Sequence, residues 1–554
     1  MKTPNFLAKT PVDVPNRSGF SMPHEYMTTG RCGTLQPVLC KPMVPGETMD
    51  LSLMFEAELP PMVSNFFGRV DLCFEAFFVP NYLLWGGWDD FFTHPTSNPI
   101  YPEGTNIAAK PKNIPHVICR SSSQSGSSAV LKVCGRNTLG DYLGIKTLMP
   151  TSSNSQLSVS ALPFLAYHRA YHDHYRNTVV QAPVFYKPAA TDGSVATIPY
   201  RSGVNTAVTS GDNVSDFLWN ESSVSPVRLG DGVLVTDLRQ ANWDLDYFTA
   251  ATPQPQAGGA STLTFDVVVD PQTGDGTGSF SLAALRSVNA IQVWMERNNL
   301  VGYDYAEQNY VQYGRYPKRQ LDKCVYLGRY SEPVYNRSVF QQSQSENDSR
   351  NPFGGIAAKF GSSAANGKGS LLNNFVATDH GFLLVLMSLR PHAYYSTGAE
   401  RHFAARHIGD IPFPLLSSVG DQPIYNYELK GFSLDGTVND HIFGYIDQYA
   451  HAKTCMDSVH GELRDGGLLD AFVLQRAFDN SSGDIEISDA FLEIPVDYLD
   501  QVKQVQNSLV PIDYWVSVYL NFNKISPLPV YSVPTLGRLP NTHTEYISRK
   551  KSTI

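Results

Sequence analysis

The chain has few charged residues, no long hydrophobic run and no closely paired cysteines. Charged residues make up 17% of its 554 positions, below the roughly 25% usual in soluble domains. The longest aliphatic run, 382–389, is far too short to span a bilayer. The seven cysteines contain no C-x-x-C pair, which favours free thiols in a reducing compartment: Cys32, Cys40, Cys73, Cys119, Cys134, Cys324 and Cys455. The first residues are polar and proline-broken rather than a signal peptide, so we expect a protein made in a cytoplasm.

A basic excess is also missing. The formal net charge is −10, whereas a free-standing nucleic-acid binder usually carries positive charge that neutralises phosphates. Any nucleic acid that this protein encloses must therefore be neutralised largely by another cation, such as a small basic protein, polyamines or metal ions.

Aromatic and turn-forming residues are abundant instead. The chain contains 29 Tyr, 29 Phe, 37 Pro and 42 Gly. Proline and glycine without a period indicate many turns and irregular loops rather than a helical bundle. Few charges combined with many tyrosines and phenylalanines indicate that much of the surface faces other protein.

The stretch 70–92, VDLCFEAFFVPNYLLWGGWDDFF, combines a strand pattern with a dense aromatic run. Apolar residues at every second position, from Val70 to Phe78, predict a half-buried strand. Pro80 ends it because proline brings no N–H to a ladder. The aromatic side chains that follow must be covered by the rest of the chain or by a neighbouring subunit.

Two stretches have helical periodicity. In 162–177, LPFLAYHRAYHDHYRN, Pro163 suits the first turn and an aromatic stripe follows. His168 and His172 are i, i+4 on this helix, a spacing that can bind zinc. No glutamate lies between them and no third ligand is near, so packing with the ring nitrogens bonded to backbone is the favoured alternative. The second predicted helix is 282–299.

FFVPNYLLWGGWDDF (77–91), NWDLDYFTAATPQPQ (242–256) and PVYSVP (529–534) together resemble segments of the major capsid protein of microviruses, which are small icosahedral single-stranded DNA bacteriophages, and of the gokushovirus-like branch in particular. FFVPNYLLWGGWDDF resembles the FFVPxRLLWxxW segment of that family, and NWDLDYFTAATPQPQ resembles its W-x-x-DYFT segment. PVYSVP resembles its PVYGVP segment. Such resemblances recur in order from about residue 15 to 536. The matching residues are Phe77, Phe78, Val79, Pro80, Leu84, Trp85, Trp88, Trp243, Asp246, Tyr247, Phe248, Thr249, Pro529, Val530, Tyr531 and Pro534.

The resemblance implies a mainly β fold: one domain, 1–554, built as an eight-stranded antiparallel jelly roll (a β-sandwich) with long loop insertions and a few helices. It implies a structural protein without catalytic residues or cofactor, which self-assembles into a T=1 icosahedral virion shell of sixty copies grouped as pentamers. The implied partners are identical subunits, a circular single-stranded DNA genome, a small basic DNA-binding protein, minor virion proteins and a host surface receptor.

Composition divides the chain further. Proline-rich residues 1–44 are expected to form an extended N-terminal arm that is ordered by neighbours. Residues 186–280 are expected to be a loop-rich insertion on the outer surface, and 338–370 a flexible Ser/Gly-rich loop. The basic tail could contact DNA phosphates or be solvated; it consists of Arg549, Lys550 and Lys551.

Two other classes of protein remain open at this point. A secreted β-sandwich carbohydrate-active enzyme would use a pair of carboxylates, such as Asp89 and Asp90 or Asp244 and Asp246. A monomeric binding module would bury its aromatic residues within one chain. GSSAANGKGS (361–370) is a near miss for a phosphate loop, because its first glycine is one residue too far away and Gly369 replaces the hydroxyl that would bind magnesium.

Overall fold

The structure of the protein is a computed structural model in which most of the long strands belong to one antiparallel β-sandwich. The residues that the structure describes are 9–60, 62, 66–85, 88, 114, 116–120, 136–146, 156–184, 186–187, 196–197, 229, 231, 233, 235–255, 267–269, 276–278, 288–289, 291–293, 323–343, 355–406, 408–418, 420–432, 441–478, 484–503, 512–528, 530 and 542–548.

The described strands, in chain order, are β1 Lys9–Pro15, β2 Ser18–Ser21, β3 His24–Gly30, β4 Gln36–Met43, β5 Thr48–Glu58, β6 Val70–Pro80, β7 His116–Arg120, β8 Gln156–Ser160, β9 Tyr186–Lys187, β10 Ala196–Thr197, β11 Val267–Val269, β12 Gly276–Gly278, β13 Val325–Pro333, β14 Tyr335–Ser343, β15 Gly355–Val376, β16 Gly381–Pro391, β17 Gln422–Tyr425, β18 Ile442–Ile446, β19 Tyr514–Ser526 and β20 Thr542–Ser548.

The described α-helices are short apart from one. They are α1 Asn81–Leu84, α2 Leu139–Tyr142, α3 Leu162–His174, α4 Asn426–Lys430, α5 Ala450–Lys453 and α6 Asp489–Leu492. Turns of 3₁₀-helix lie at Arg401–Ala404, Ile408–Asp410, Pro414–Ser418, Gly461–Leu463, Asp470–Phe472 and Tyr498–Gln501.

Two sheets form the sandwich. The four-stranded sheet has the order β13–β6–β16–β4, and the six-stranded sheet runs β14–β15–β5–β19, with β2 and β3 both pairing with β19. Along the chain β3, β4, β5 and β6 alternate between the sheets, and so do β13, β15, β16 and β19, which is the succession of a jelly roll. The predicted mainly β, antiparallel sandwich is therefore confirmed.

Strand β6 lies at the centre of this arrangement and is buried along its whole length. Its even-numbered side chains face the six-stranded sheet, since the Phe74 ring lies 5.0 Å from Phe55 and the Phe78 ring 5.3 Å from Phe375. Its opposite face packs beneath α3, whose His174 ring lies 5.1 Å from Phe77. The predicted strand is therefore present, but the prediction that it is half-buried is wrong because the helix covers the second face.

Helix α3 confirms the helix predicted over 162–177. Pro163 lies in its first turn, and its buried residues run from Leu162 to Tyr171. The second predicted helix, 282–299, falls mostly outside the described residues; 288–289 and 291–293 within it are helical.

The expectation of a neighbour-ordered arm over 1–44 is corrected for its described part. Strand β3 pairs with β19 and β4 pairs with β16, so this segment supplies strands to both sheets of its own chain. Leu35 and Leu39 are buried in the main core. Pro37 and Pro42 lie within β4, which is an edge strand of its sheet, where proline leaves the ladder to β16 in place.

The flexible loop expected over 338–370 is also corrected. Its described residues belong to β14 and β15, which pair with each other while β15 continues the ladder to β5. A ladder needs only backbone groups, so a Ser/Gly-rich composition does not prevent it. Gly367 and Gly369 leave room for the Tyr330 ring, which a Cβ at either position would meet.

The outer-surface expectation for 186–280 is wrong for 235–255. Val235, Trp243 and Phe248 within this part are buried. Two short hairpins, β9–β10 and β11–β12, are described elsewhere in the insertion. For the residues of 186–280 that the structure does not describe, outer-surface loops stay a prediction.

Candidate assembly surfaces

The motif that ends β6 closes the main core. Phe77, Phe78 and Val79 are buried in the strand, and Leu84 and Trp85 are buried at α1. Just beyond them, the Trp88 ring lies 5.8 Å from the His380 ring. The described part of this aromatic run is therefore largely covered by its own chain.

Trp243 connects the main core to the segment around Arg476. Its ring lies 5.0 Å from the Tyr498 ring, edge to face, and the Arg476 guanidinium lies 4.8 Å from its centroid. A cation over a buried indole is a favourable arrangement. Trp243 therefore acts as a structural residue in this family motif.

Asp246 organises the turn that follows. Its Oδ1 accepts from the backbone N–H of Phe248 at 2.9 Å and of Thr249 at 2.8 Å, and its Oδ2 accepts from the Tyr395 hydroxyl at 2.6 Å. Both carboxylate oxygens are thus occupied by structural bonds, as in an Asx-turn. This geometry gives Asp246 a structural role in the turn.

Tyr247 links the same turn to α4. Its hydroxyl donates to Glu428 Oε2 at 2.8 Å, inside a second apolar cluster formed with Phe248, Phe443 and Phe491. Burial raises the pKa of the Glu428 carboxyl. The turn therefore joins the sandwich to the region 395–492.

A cavity of about 410 Å³ lies beside this turn, between Tyr247, Arg401 and His451. Two basic side chains of its lining lie beside carboxylates: Arg401 is 3.5 Å from Glu428, and His402 is 3.0 Å from Glu400. Burial lowers the pKa of His451. The cavity therefore has ionisable side chains next to apolar ones such as Ile411.

The two candidate metal ligands on α3 have structural bonds. His168 Nε2 lies 2.8 Å from the Val235 carbonyl, and its Nδ1 accepts from Arg239 Nε at 3.0 Å. His172 Nδ1 accepts from the Val184 N–H at 3.4 Å. Burial lowers the pKa of His172 to about 2, so it stays neutral. In the part of the chain that the structure describes, no three potential ligands are placed to hold a metal ion.

One surface leaves apolar side chains in solvent. In the segment 401–418, called the apolar segment below, Leu415 is 88% and Phe403 71% exposed. The exposed residues are Phe403, Ile408, Ile411, Phe413, Leu415 and Leu416. Contiguous exposed apolar residues mark an interaction site.

The outer face of the six-stranded sheet is a second such surface. Met27 is 72% exposed, and Trp515 and Tyr519 are each 42% exposed. These residues alternate with buried residues along β19 and with partly buried residues along β3. We refer to this surface as the outer sheet face.

Sequence reasoning missed the outer sheet face. The pattern YWVSVYLNFN contained the signal, because Trp515 and Tyr519 share a strand face with Ser517 and two asparagines. Of the last family motif only Val530 is described, and it is exposed. Pro529, Tyr531, Pro534, Arg549, Lys550 and Lys551 lie outside the described residues.

Within the described residues, no helix is long and apolar enough to cross a membrane.

The chain matches the family model "Capsid protein (F protein)" over residues 8–281 and 267–536. It is similar to capsid protein VP1 of Chlamydia phage 1, with 26% identity over 97% of this chain and 98% of the relative. It is also similar to capsid protein VP1 of Bdellovibrio phage phiMH2K and of Spiroplasma virus 4.

The identity is 23% to the Bdellovibrio phage protein, over 96% of this chain and 98% of the relative. The identity to the Spiroplasma virus 4 protein is 22%, over 94% of this chain and 96% of the relative. These matches extend along nearly the whole chain and agree with the jelly-roll order of the two sheets. The chain therefore belongs to the capsid protein (F protein) family and is a structural protein of a microvirus capsid.

Proposed function

We propose that sixty copies of this chain, grouped as pentamers, assemble into a closed T=1 shell around a circular single-stranded DNA genome. The observation that carries the proposal is the apolar segment, which a capsid-family chain leaves in solvent although it is rich in phenylalanine, leucine and isoleucine. Such a surface gains stability only when another copy covers it.

The proposed contact is heterologous: the apolar segment of one copy meets a different surface of the next. Heterologous contacts that close after a fixed rotation give a finite assembly, whereas those that do not close give filaments. Each contact can be modest because every subunit repeats it throughout the shell.

The net charge of the chain supports a separate partner that neutralises the genome. With a net charge of −10, the chain supplies no overall excess of cations for phosphates. A small basic DNA-binding protein packaged with the genome fills that role in this proposal. Minor virion proteins are further proposed partners.

Host contact and the place of assembly complete the proposal. We assign receptor binding to outer loops within 186–228 and 257–280, and assembly to the host bacterial cytoplasm. Five cysteines are free thiols, which fits a reducing compartment: Cys32, Cys40, Cys73, Cys324 and Cys455.

The test is expression of the full chain followed by electron microscopy and sedimentation. Wild-type protein is expected to form closed particles with a mass near sixty times that of the 61.2 kDa chain. Leu415→Asp is expected to abolish particles while leaving the circular dichroism of the subunit unchanged, since the side chain lies in solvent. Leu415→Met, which keeps the residue apolar, is the matched control and should assemble. A wild-type chain that stays monomeric at high concentration would contradict the proposal.

A further inference from the structure

The outer sheet face has regular rows of side chains fixed by the strand register. Every second residue of β19 on this face lies opposite a residue of β5. The pairs are Trp515 with Glu58, Ser517 with Glu56, and Tyr519 with Met54. On the other side of β19, Met27 and Glu25 of β3 occupy the matching positions. The face is therefore a grid of aromatic, methionine and glutamate side chains.

Its charge is negative. Glu25, Glu56 and Glu58 are all exposed, and Lys368 of β15 is the nearest cation in register, opposite Met54. Among the described residues, no lysine or arginine forms an ion pair with any of these three glutamates. The hydrogen bonds to these carboxylates come from uncharged donors: Trp515 Nε1 donates to Glu58 at 3.2 Å and the Ser517 hydroxyl to Glu25 at 2.6 Å.

This chemistry selects a cationic ligand. Carboxylates bind lysine and arginine through charge-assisted hydrogen bonds, and indole and phenol rings attract the same cations. Phosphates would be repelled by the glutamates, so direct contact with a nucleic-acid backbone is disfavoured here.

The chain itself carries a matching segment next to β20. Arg549, Lys550 and Lys551 follow Ser548, the last residue of that strand. Strands β1 and β20 form a two-stranded sheet separate from both sheets of the sandwich. Because an isolated pair of strands is marginally stable in water, this ribbon gains from docking against another surface.

The register of β1 and β20 also favours a second copy of the chain as the source of the basic segment that binds this face. Ser548 pairs with Lys9, at the end of β1 opposite to Pro15, which leads into β2 of the six-stranded sheet. Along an extended strand these two ends are about 20 Å apart, whereas the three basic residues reach only about 10 Å. The tail therefore starts at the end of the ribbon away from its own junction with the sheet.

We propose that the outer sheet face of one copy binds the basic C-terminal tail, Arg549–Lys551, of a second copy in the shell. This inference rests on the proposed assembly, and it makes the tail a protein contact instead of a DNA contact. Because the pairs are exposed, the contact weakens as salt is raised.

The experiment uses particles assembled from an equal mixture of ¹⁵N-labelled and unlabelled full-length subunits. A carbodiimide joins lysine amines to carboxylates that touch them, and mass spectrometry identifies the joined peptides. We expect Lys550 or Lys551 joined to Glu25, Glu56 or Glu58 in peptides that pair one labelled with one unlabelled chain. Links found only within like-labelled pairs, links to other carboxylates only, or tail contacts to DNA alone under ultraviolet crosslinking would each overturn the inference.

Variants separate this contact from assembly as a whole. Lys550→Gln with Lys551→Gln, and Glu56→Gln with Glu58→Gln, should each lower the salt concentration at which particles dissociate, and combining all four should lower it no further. Reversing the charges, with Glu56→Lys and Lys550→Glu together, should restore the wild-type value; failure of that rescue contradicts the pairing. Glu486→Gln, an exposed residue outside the face, is the control. A wild-type chain that forms no particles would refute the assembly proposal, whereas particles with the tail linked elsewhere would refute only this inference.

Discussion

The two sheets of the sandwich differ in what covers their outer faces. The four-stranded sheet is covered by α3, so that its central strand β6 is buried on both sides. The six-stranded sheet exposes Met27, Trp515 and Tyr519 on its outer side. One sheet is thus completed within the chain, and the other has a surface that suits a neighbour.

Covering the four-stranded sheet places charges in the interior. Arg390 Nη2 donates to Glu75 at 2.6 Å, the Tyr175 hydroxyl donates to the same carboxylate, and the Arg390 guanidinium lies 5.4 Å from the Tyr175 centroid. A buried pair of this kind adds little net stability, but losing one partner leaves a charge without compensation. The contrast between the sheets can therefore be tested residue by residue.

The largest effect is expected at Glu75. Glu75→Ala should lower the free energy of unfolding by about 3–5 kcal/mol, because Arg390 then stays buried without its carboxylate. Urea unfolding of unassembled subunits measures this value. Glu56→Ala, on the exposed face of the other sheet, is the control and should change it by less than about 0.5 kcal/mol. Equal effects at the two sites would remove the distinction between the sheets.

Tyr247→Phe is expected to have the next largest effect. The substitution keeps the ring but removes the donor to Glu428, which then loses a hydrogen bond inside the second apolar cluster. The expected loss is about 1–3 kcal/mol, again by urea unfolding. Tyr519→Phe at the outer sheet face removes an exposed hydroxyl and should be close to neutral. A neutral Tyr247→Phe would show that the turn does not anchor the region 395–492.

A smaller effect depends on pH. Burial, then the charge of Asp489, raises the pKa of Glu493 to about 7, while Arg239 opposes and Asp231 reinforces the shift. Since the folded-state pKa is raised, the folded state binds the proton more tightly, and stability falls as pH rises from about 4.5 to about 7. Glu493→Gln removes this loss and should be more stable than wild type by about 1 kcal/mol at pH 8, a value reduced for partial solvent exposure.

The two proteins should converge in stability below pH 4.5. Unfolding curves at pH 4 and pH 8 give both differences, and Glu486→Gln is the exposed control. If the free energies of unfolding of wild type and Glu493→Gln differed by the same amount at pH 4 and pH 8, the pKa assigned to Glu493 would be contradicted.

The smallest effect on the subunit is expected at the outer sheet face. Trp515→Ser with Tyr519→Ser should change the unfolding free energy of the unassembled chain by about 0.5 kcal/mol or less per residue, since both side chains are in solvent. The same pair should raise the protein concentration needed for particles to form, as measured by light scattering. A strongly destabilised subunit would show that these rings already pack within one chain.

The contrast between the sheets also explains what sequence could predict. Alternation identified β6 and its inner face correctly because side-chain direction depends only on local geometry. Burial of its second face depends on α3, about ninety residues later, and periodicity carries no information about such packing. For the same reason, the glycines of β15 suggested a loop although they lie under the Tyr330 ring.

The motif residues show a similar limit. The family resemblance located Trp243 and the Asp246 turn, but their roles follow from partners far along the chain, Arg476 and Tyr395. His168 illustrates the same point, because its bond to Arg239 is visible only in the folded chain. Local chemistry identified which residues matter, and tertiary contacts decided what they do.

The most direct test of the account is hydroxyl-radical footprinting of free subunits and of assembled particles. In free subunits Met27, Met54, Trp515 and Tyr519 should react readily, whereas Met387, which is buried in the four-stranded sheet, should not. Assembly is expected to protect the outer sheet face and leave Met387 unchanged. Equal oxidation of Trp515 and Tyr519 before and after assembly would contradict the claim that neighbouring copies complete this sheet.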